Sequence, residues 1–154
     1  MDSTTRNELV NRYRDGFRAV SEALDGISET VLDSAHEGWT PRMIVHHLAD
    51  SEMTSAIRLR RLIAEDAPAI AGYDEERFAR ELFYDQRPIE HSLSALRASR
   101  ETTAEILDRL SEEQWQRAGT HSEIGRFSVG DWLEIYAAHA HDHAAQILRA
   151  RGKG

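Results

Sequence analysis

Two histidines near the end of the chain are spaced as metal ligands on a helix often are. His139 and His143 lie in a stretch whose apolar residues recur with helical periodicity. Successive residues of an α-helix turn by about 100°, so the two rings lie about 40° apart on one face. Both imidazoles can then bind one ion, whereas a lone histidine on an apolar face usually packs and hydrogen-bonds. The pair favours a metal site.

A third ligand must come from a neighbouring helix, because two histidines do not complete a site. His46 and His47 are neighbours in an earlier helical stretch. Around that helix, His47 lies closer than His46 to the face that carries Ile44 and Ser51. We therefore take His47 as the third ligand and interpret His46 as a solvated or partner-facing histidine. Three neutral imidazoles with an open fourth position are typical of catalytic zinc sites, and nickel, cobalt or iron also accept nitrogen ligands.

The other histidines fall outside this pattern. His141 points away from the pair, and His36, His91 and His121 lie near predicted helix ends or in loops, where surface exposure is expected. The loop of His121 precedes the last helix, so the fourth ligand stays open between water and this side chain. The stretch 139–143 has no glutamate after its first histidine, and the water-activating base of zinc proteases is therefore missing.

Four long helices are predicted to carry these residues. A capping box at Thr5 and Glu8 begins the first helix, which ends near Gly26. The second begins with Thr40 as its N-cap and Pro41 at its first position, and it runs to about residue 65.

The remaining connections and helices follow from similar signals. A short helix is expected over 74–83 with Phe78 and Leu82 facing inward, and Pro88 opens the third long helix. A cap at Ser111 introduces a short turn, and Ser128 with Asp131 caps the last long helix, to about residue 151. No useful period-2 alternation is present. The sequence predicts an all-α four-helix bundle forming a single domain over 1–154, with short extra helices in its connections.

Composition excludes several classes of protein. The 154 residues are 40% hydrophobic and 30% charged, with a net charge of -8 and no cluster of basic residues, which argues against nucleic-acid binding. No apolar run approaches the ~20 residues of a membrane span, and the N-terminus lacks an apolar signal region, so we expect a cytoplasmic protein. The chain has no cysteine, which excludes disulfides, thiolate ligands and a cysteine nucleophile.

Several motifs together resemble the DinB/YfiT-like superfamily. They are Trp39-Thr40-Pro41, the stretch Val45 to Glu52, the stretch Arg58 to Leu62 with Pro68 and Gly72-Tyr73-Asp74, His121 to Gly125, and Trp132 to Ile147 with its Gln146. The resemblance implies a four-helix bundle with one metal ion on His47, His139 and His143, and a tendency to dimerise. It also implies thiol-dependent S-transfer or isomerisation with low-molecular-weight thiols in some members and metal-dependent hydrolysis in others.

Three functional hypotheses follow. The first is a metal-dependent thiol S-transferase, with zinc or nickel as the ion, a small thiol as cosubstrate, and substrate contacts from Tyr136 and Arg58. Trp132 beside the ligands and Arg61 are further pocket candidates, although packing and solvation explain them as well. Coordination deprotonates a thiol, and the thiolate is the nucleophile.

The second hypothesis is a hydrolase in which the metal activates water. It needs a general base, for which Asp142 and Glu52 are the candidates. The third is a non-catalytic, metal-stabilised bundle that binds a ligand or partner, with Met53 and Ile57 available for a homodimer surface.

Overall fold

The computed structural model describes residues 1–35 and 38–152, so His36 lies outside the described residues. Four long helices form the bundle: α1 (Ser3–Leu24), α3 (Pro41–Ala64), α5 (Glu90–Leu107) and α7 (Val129–Ala150). The connections contain α2 (Glu29–Leu32), α4 (Glu75–Glu81), α6 (Glu112–Trp115) and the strands β1 (Ala69–Ile70), β2 (Ala118–His121) and β3 (Gly125–Ser128). The predicted four-helix bundle is confirmed.

Local capping residues fix the starts of these helices. The Thr40 hydroxyl accepts a hydrogen bond from the Met43 backbone N–H, as predicted for the start of α3. At α7 the predicted capping box is present, with Ser128 and Asp131 each accepting from the other's backbone N–H. The box predicted at Thr5 is wrong, because Asp2 accepts the Thr5 N–H and α1 begins before it.

Long helices that follow each other in sequence are mostly not neighbours in the bundle. Around its circumference α1 packs on α7, α7 on α3, α3 on α5, and α5 on α1. The chain therefore crosses the bundle diagonally between α1 and α3 and again between α5 and α7. This order places α3 and α7, which carry the candidate ligands, side by side.

A small sheet joins two of the connections and was not predicted. Strand β1 pairs in parallel with β2, and β2 pairs antiparallel with β3. The strands have two to four residues, which is too short for an alternating pattern to stand out in the sequence. Gly119 is required there, since a Cβ atom would lie 2.2 Å from the carbonyl oxygen of Pro68.

The segment around α4 buries a different residue from the one predicted. Leu82 is exposed and Tyr84 is fully buried instead. The reason is a left-handed residue, Phe83 (φ 57°), which turns the chain after α4 so that Tyr84 enters the core. Phe78 is half-buried and packs on Tyr73, with ring centroids 4.4 Å apart.

The core includes a buried ion pair, which we call the ion-pair layer: Tyr13, Glu52 and Arg100. The Arg100 Nη1 atom donates to a Glu52 carboxylate oxygen over 2.6 Å, and the Tyr13 hydroxyl donates to the other oxygen. Arg100 also donates to the Tyr13 carbonyl, and its guanidinium lies 4.0 Å from the Tyr13 ring centroid. Both charged side chains are about 99% buried, with relative exposures of 1%. Every charge in the layer has a partner.

Two further observations concern the surface of the bundle. Met53 and Ile57 are exposed on α3, at 42% and 58% of their accessible area, so the residues suggested for a homodimer surface are available to solvent. Among the described helices, none combines the length and the apolar character that a membrane span requires.

Candidate metal centre

The structure brings together the three histidines chosen from the sequence. His47 lies on α3, and His139 and His143 lie on α7, one turn apart. One ring nitrogen from each lies within 4.8 Å of the other two. We call these three residues the histidine cluster. Its ring centroids are separated by 4.5 to 5.3 Å.

The geometry of the cluster suits a tetrahedral ion. The Nε2 atoms of His47 and His139 are 3.4 Å apart. With metal–nitrogen distances of about 2.0–2.1 Å, two ligands of a tetrahedral zinc ion lie about 3.3–3.4 Å apart. His143 Nδ1 lies 2.7 Å from the Gln146 carboxamide oxygen, and if it donates there its Nε2 atom is left free to bind an ion. The donor set fits a divalent ion that accepts nitrogen ligands.

The cluster also keeps its rings neutral. Burial, with the charge of His143 as a smaller cause, lowers the pKa of His47 to about 4. Burial is the main cause that lowers the pKa of His139 to about 3, and neighbouring charges, including that of Arg100, act in the same direction. Burial lowers the pKa of His143, against the opposing effects of Gln146 and nearby carboxylates. Neutral imidazole is the form that binds a metal.

The surroundings hold the rings by packing. Trp39 meets the His47 ring edge-on at 5.0 Å, and Tyr136 meets the His139 ring at 5.7 Å. His139 Nδ1 is buried without a hydrogen-bond partner in the described part of the chain. Trp39 was recognised only as part of a family motif, since an aromatic residue before a helix cap carries no signal for this contact.

The interpretation of His46 as solvated or partner-facing is wrong. Its ring is fully buried, with Nδ1 2.8 Å from the Ser92 hydroxyl and Nε2 3.0 Å from the Arg87 carbonyl oxygen. α3 packs on α5 on one side and on α7 on the other, so its buried surface is wide enough to include both His46 and His47.

The remaining histidines lie outside the cluster. His91 is exposed as expected, but the surface position expected for His121 is wrong: it is buried in β2 against Phe127, 5.5 Å between ring centroids. Its Nδ1 atom accepts the Glu123 backbone N–H, and it is not among the grouped ligand atoms. His141 points to α1, with Nε2 3.0 Å from the Arg12 carbonyl oxygen.

The two residues chosen for substrate contacts are hydrogen-bonded to each other, and one of them packs on the cluster. Arg58 donates from Nη1 to the Tyr136 hydroxyl over 3.1 Å, and from Nη2 to the Ala71 carbonyl. Tyr136 in turn packs on His139. Trp132 is a packing residue, fully buried with its indole N–H bonded to the Ser55 carbonyl. Arg61 bonds to Glu65 and to the Ala69 carbonyl.

The carboxylates considered as general bases are placed less favourably. Glu52 belongs to the ion-pair layer and is occupied by Arg100 and Tyr13. Asp142 is exposed, although its charge acts on His143. Glu75 on α4 acts on His143 in the same sense and was not considered from the sequence, because nothing in the pattern of that connection places it at the cluster. No carboxylate of the described residues belongs to the group of ligand atoms.

Comparisons with known proteins identify the family and the fold of the chain. The model of the DinB superfamily matches residues 11–147. A protein of Oceanobacillus iheyensis with the provisional name metal-dependent hydrolase is 38% identical over 143 residues, covering 92% of this chain and 83% of the relative. A Bacillus cereus protein of the same provisional name is 31% identical over 144 residues, with the same coverage.

One solved structure is similar over the whole chain. YfiT from Bacillus subtilis, described as a probable metal-dependent hydrolase with an unusual four-helix bundle topology, superposes with a TM-score of 0.91 at 26% identity. The match covers 100% of this chain and 91% of that one. The diagonal crossings between consecutive long helices described above are consistent with such a topology.

Proposed function

Since the chain belongs to the DinB superfamily, we propose that it is a metal-dependent enzyme whose nucleophile is a low-molecular-weight thiol. His47, His139 and His143 hold one divalent ion, zinc or nickel, and the thiol is transferred to an electrophilic substrate. The observation that carries this proposal is the convergence of three neutral imidazoles without a carboxylate in the group.

The nature of the ligands favours a nucleophile that loses its proton easily. Neutral ligands leave the full charge of the ion in place, and that charge lowers the pKa of a thiol bound beside it. A thiol starts from a pKa of about 8.5, far below that of water, so it needs no general base once this charge is present. Because the chain has no cysteine, the thiol has to come from a cosubstrate.

Residues beside the cluster suit the binding of such a cosubstrate. The Arg58 guanidinium offers a positive charge to an acidic thiol, and it is fixed by its bonds to Tyr136 and to the Ala71 carbonyl. Tyr136 packs on His139, and its hydroxyl accepts the hydrogen bond from Arg58. We assign these two residues to cosubstrate binding.

The first experiment measures metal content by elemental mass spectrometry on tag-free protein. We expect close to one divalent ion per chain in the wild type and loss of that ion in His47→Ala and in His139→Ala. His91→Ala removes an exposed histidine and is the matched control, expected to keep its metal. Equal metal content in all four proteins, or none in the wild type after incubation with zinc and with nickel, would contradict the site.

The second experiment tests the thiol. Metal-loaded protein is mixed with each of several small thiols and with a panel of epoxides, enones and alkyl halides, and thioether formation is followed by mass spectrometry. We expect turnover that requires protein, metal and thiol together, and loss of at least about a hundredfold in His139→Ala. No turnover with any combination would count against S-transfer.

Hydrolysis is the second candidate, favoured by the descriptions of the relatives and by the action of the Glu75 charge on His143. In that case Glu75, whose charge acts on His143, is the candidate base for a water molecule. Turnover of esters or amides that needs metal but no thiol, and that is lost in Glu75→Gln, would select hydrolysis over thiol transfer.

A further inference from the structure

A tyrosine in the connection between α3 and α4 keeps a buried hydroxyl without a partner. The Tyr73 Oη atom is inaccessible to solvent and makes no hydrogen bond within the described part of the chain. Leaving a buried polar group unpaired costs stability, so such a group in a native protein requires an explanation. Tyr84, eleven residues later, shows the ordinary arrangement: its hydroxyl donates to Asp50 over 2.6 Å.

Tyr73 packs over the face of α3 that carries a candidate ligand. Counted around the helix, Ser51 lies about 40° from His47 and one turn along it, whereas Arg58 lies about 20° from His47 and about 16 Å further along the axis. The Arg58 guanidinium carbon is 5.7 Å from the Tyr73 ring centroid. The Ser51 hydroxyl lies beside Tyr73 Oη, close enough to affect its pKa but outside hydrogen-bonding geometry.

The same arginine connects Tyr73 to the other helix of the site. Arg58 donates to the Tyr136 hydroxyl, and the Tyr136 ring packs on His139. Arg58 therefore links Tyr73 to Tyr136, the tyrosine that packs on the ring of His139. Burial raises the pKa of Tyr73, which keeps its hydroxyl protonated at neutral pH and able to donate.

We propose that Tyr73 is a catalytic residue whose hydroxyl donates to the oxygen that becomes negatively charged when the thiol attacks an epoxide or an enone. The inference rests on the proposed thiol transfer and names the class of electrophile that this site serves. A donor aimed at a developing oxyanion accelerates the reaction, because the interaction is stronger in the transition state than in the ground state.

For an epoxide, the step balances as follows. The thiolate sulfur forms a bond to a ring carbon, the carbon–oxygen bond breaks, and its electron pair moves to the oxygen. The oxygen takes the Tyr73 proton, and the tyrosinate recovers one from solvent, which received the proton lost by the thiol. An alkyl halide needs no such donor, because the halide departs as a stable anion.

The test compares these two electrophile classes in Tyr73→Phe. We expect kcat/KM for epoxide opening to fall at least about tenfold, while kcat/KM for halide displacement changes less than about threefold. Tyr84→Phe is the matched control, since it removes a buried hydroxyl from the same segment that is paired with Asp50. It should leave the ratio of the two activities unchanged.

Two measurements besides activity accompany the kinetics. Removing an unpaired hydroxyl should leave the melting temperature of Tyr73→Phe equal to or above that of the wild type, whereas Tyr84→Phe should melt lower. By calorimetry, the wild type should bind a β-hydroxy thioether about fivefold more tightly than the thioether without the hydroxyl, and Tyr73→Phe should lose this preference.

The outcomes separate the inference from the proposed function. Wild-type turnover with neither class would overturn thiol transfer itself. Turnover of halides alone, an equal loss on both classes in Tyr73→Phe, or an unchanged ratio would overturn only the role of Tyr73. A fall in melting temperature matching that of Tyr84→Phe would also overturn it, because the hydroxyl would then have a partner in the folded protein.

Discussion

Two groups of buried polar residues occupy neighbouring parts of the same bundle and differ in how they are satisfied. In the ion-pair layer, the Glu52 carboxylate accepts hydrogen bonds from Arg100 and from the Tyr13 hydroxyl. Arg100 donates its other hydrogen bonds to backbone carbonyls. In the histidine cluster, the Nε2 atoms of His47 and His139 lie 3.4 Å apart, and no carboxylate of the described residues joins the group.

The difference indicates what each group is for. A fully paired buried network contributes to a unique packing of the helices, and removing one member is costly. Ring nitrogens that converge in this way can instead share one ion, because Nε2 atoms 3.4 Å apart match two ligands of a tetrahedral zinc ion. The comparison therefore assigns a structural role to the layer and a binding role to the cluster, and three experiments test it.

The largest effect is expected in the ion-pair layer. Arg100→Leu leaves Glu52 buried without a counter-charge, which should lower the free energy of unfolding by about 3–5 kcal/mol in chemical denaturation. Arg97→Leu is the control: it breaks an exposed pair with Glu101 and should cost no more than about 1 kcal/mol.

A double variant sharpens this prediction. Glu52→Leu combined with Arg100→Leu removes both charges and should recover most of the lost stability. Equal free energies of unfolding for Arg100→Leu and Arg97→Leu would show that the ion-pair layer stabilises the fold no more than a surface ion pair does.

An intermediate effect is expected when the metal-free protein is acidified. The pKa values of His47 and His139 are lowered to about 4 and about 3 in the folded state, whereas unfolded histidine titrates near 6.5. Between these values the unfolded chain binds more protons, so the free energy of unfolding falls as pH drops below about 6.5. From pH 7 to pH 5.5 the loss is about 1 kcal/mol for each of these two rings, and His46 and His143, whose pKa values are also lowered by burial, add to it.

The measurement is chemical denaturation across that pH range in the presence of a chelator. His139→Leu should remove about 1 kcal/mol of this loss. His91→Ala, which changes an exposed ring, should leave the pH dependence as it is in the wild type. A wild-type stability that stays level from pH 7 to pH 5.5 would mean that the cluster rings are not desolvated.

The smallest effect concerns His143, whose ring is hydrogen-bonded to a side chain outside the cluster. Gln146→Leu removes the acceptor that orients His143 and should weaken metal affinity at least about tenfold, or about 1.4 kcal/mol. Titration with zinc against a competing chelator measures it, with the exposed Gln116→Leu as control. An unchanged affinity would show that packing alone orients His143.

Local features of the structure were predictable from sequence, because short-range chemistry determines them. Thr40 with Pro41 begins α3, and Ser128 with Asp131 begins α7, since each cap satisfies backbone donors a few residues away. The relation between His139 and His143 is fixed by the helical repeat alone. The three histidines chosen from their positions around the helices are therefore the same three that the structure brings together.

Features that depend on distant partners were not predictable. The burial of His46 depends on Ser92 and on the path of the chain at Arg87, and the pairing of Glu52 depends on a residue 48 positions away. A helical wheel gives the direction of a side chain but not what lies opposite. The strands were missed because they have only two to four residues, and β1 in addition pairs with a strand of another connection.

The separation of the ligands along the chain has a consequence for biosynthesis. His47 and His139 are 92 residues apart, and α7 lies between α1 and α3 in the finished bundle. At about 5–20 residues per second, a ribosome needs about 5–20 s to make the intervening chain. During that time α3 exists without the helix that covers its apolar surface, and His47 has no fellow ligands. Metal capture through all three histidines is therefore a late event, which follows translation and docking of α7.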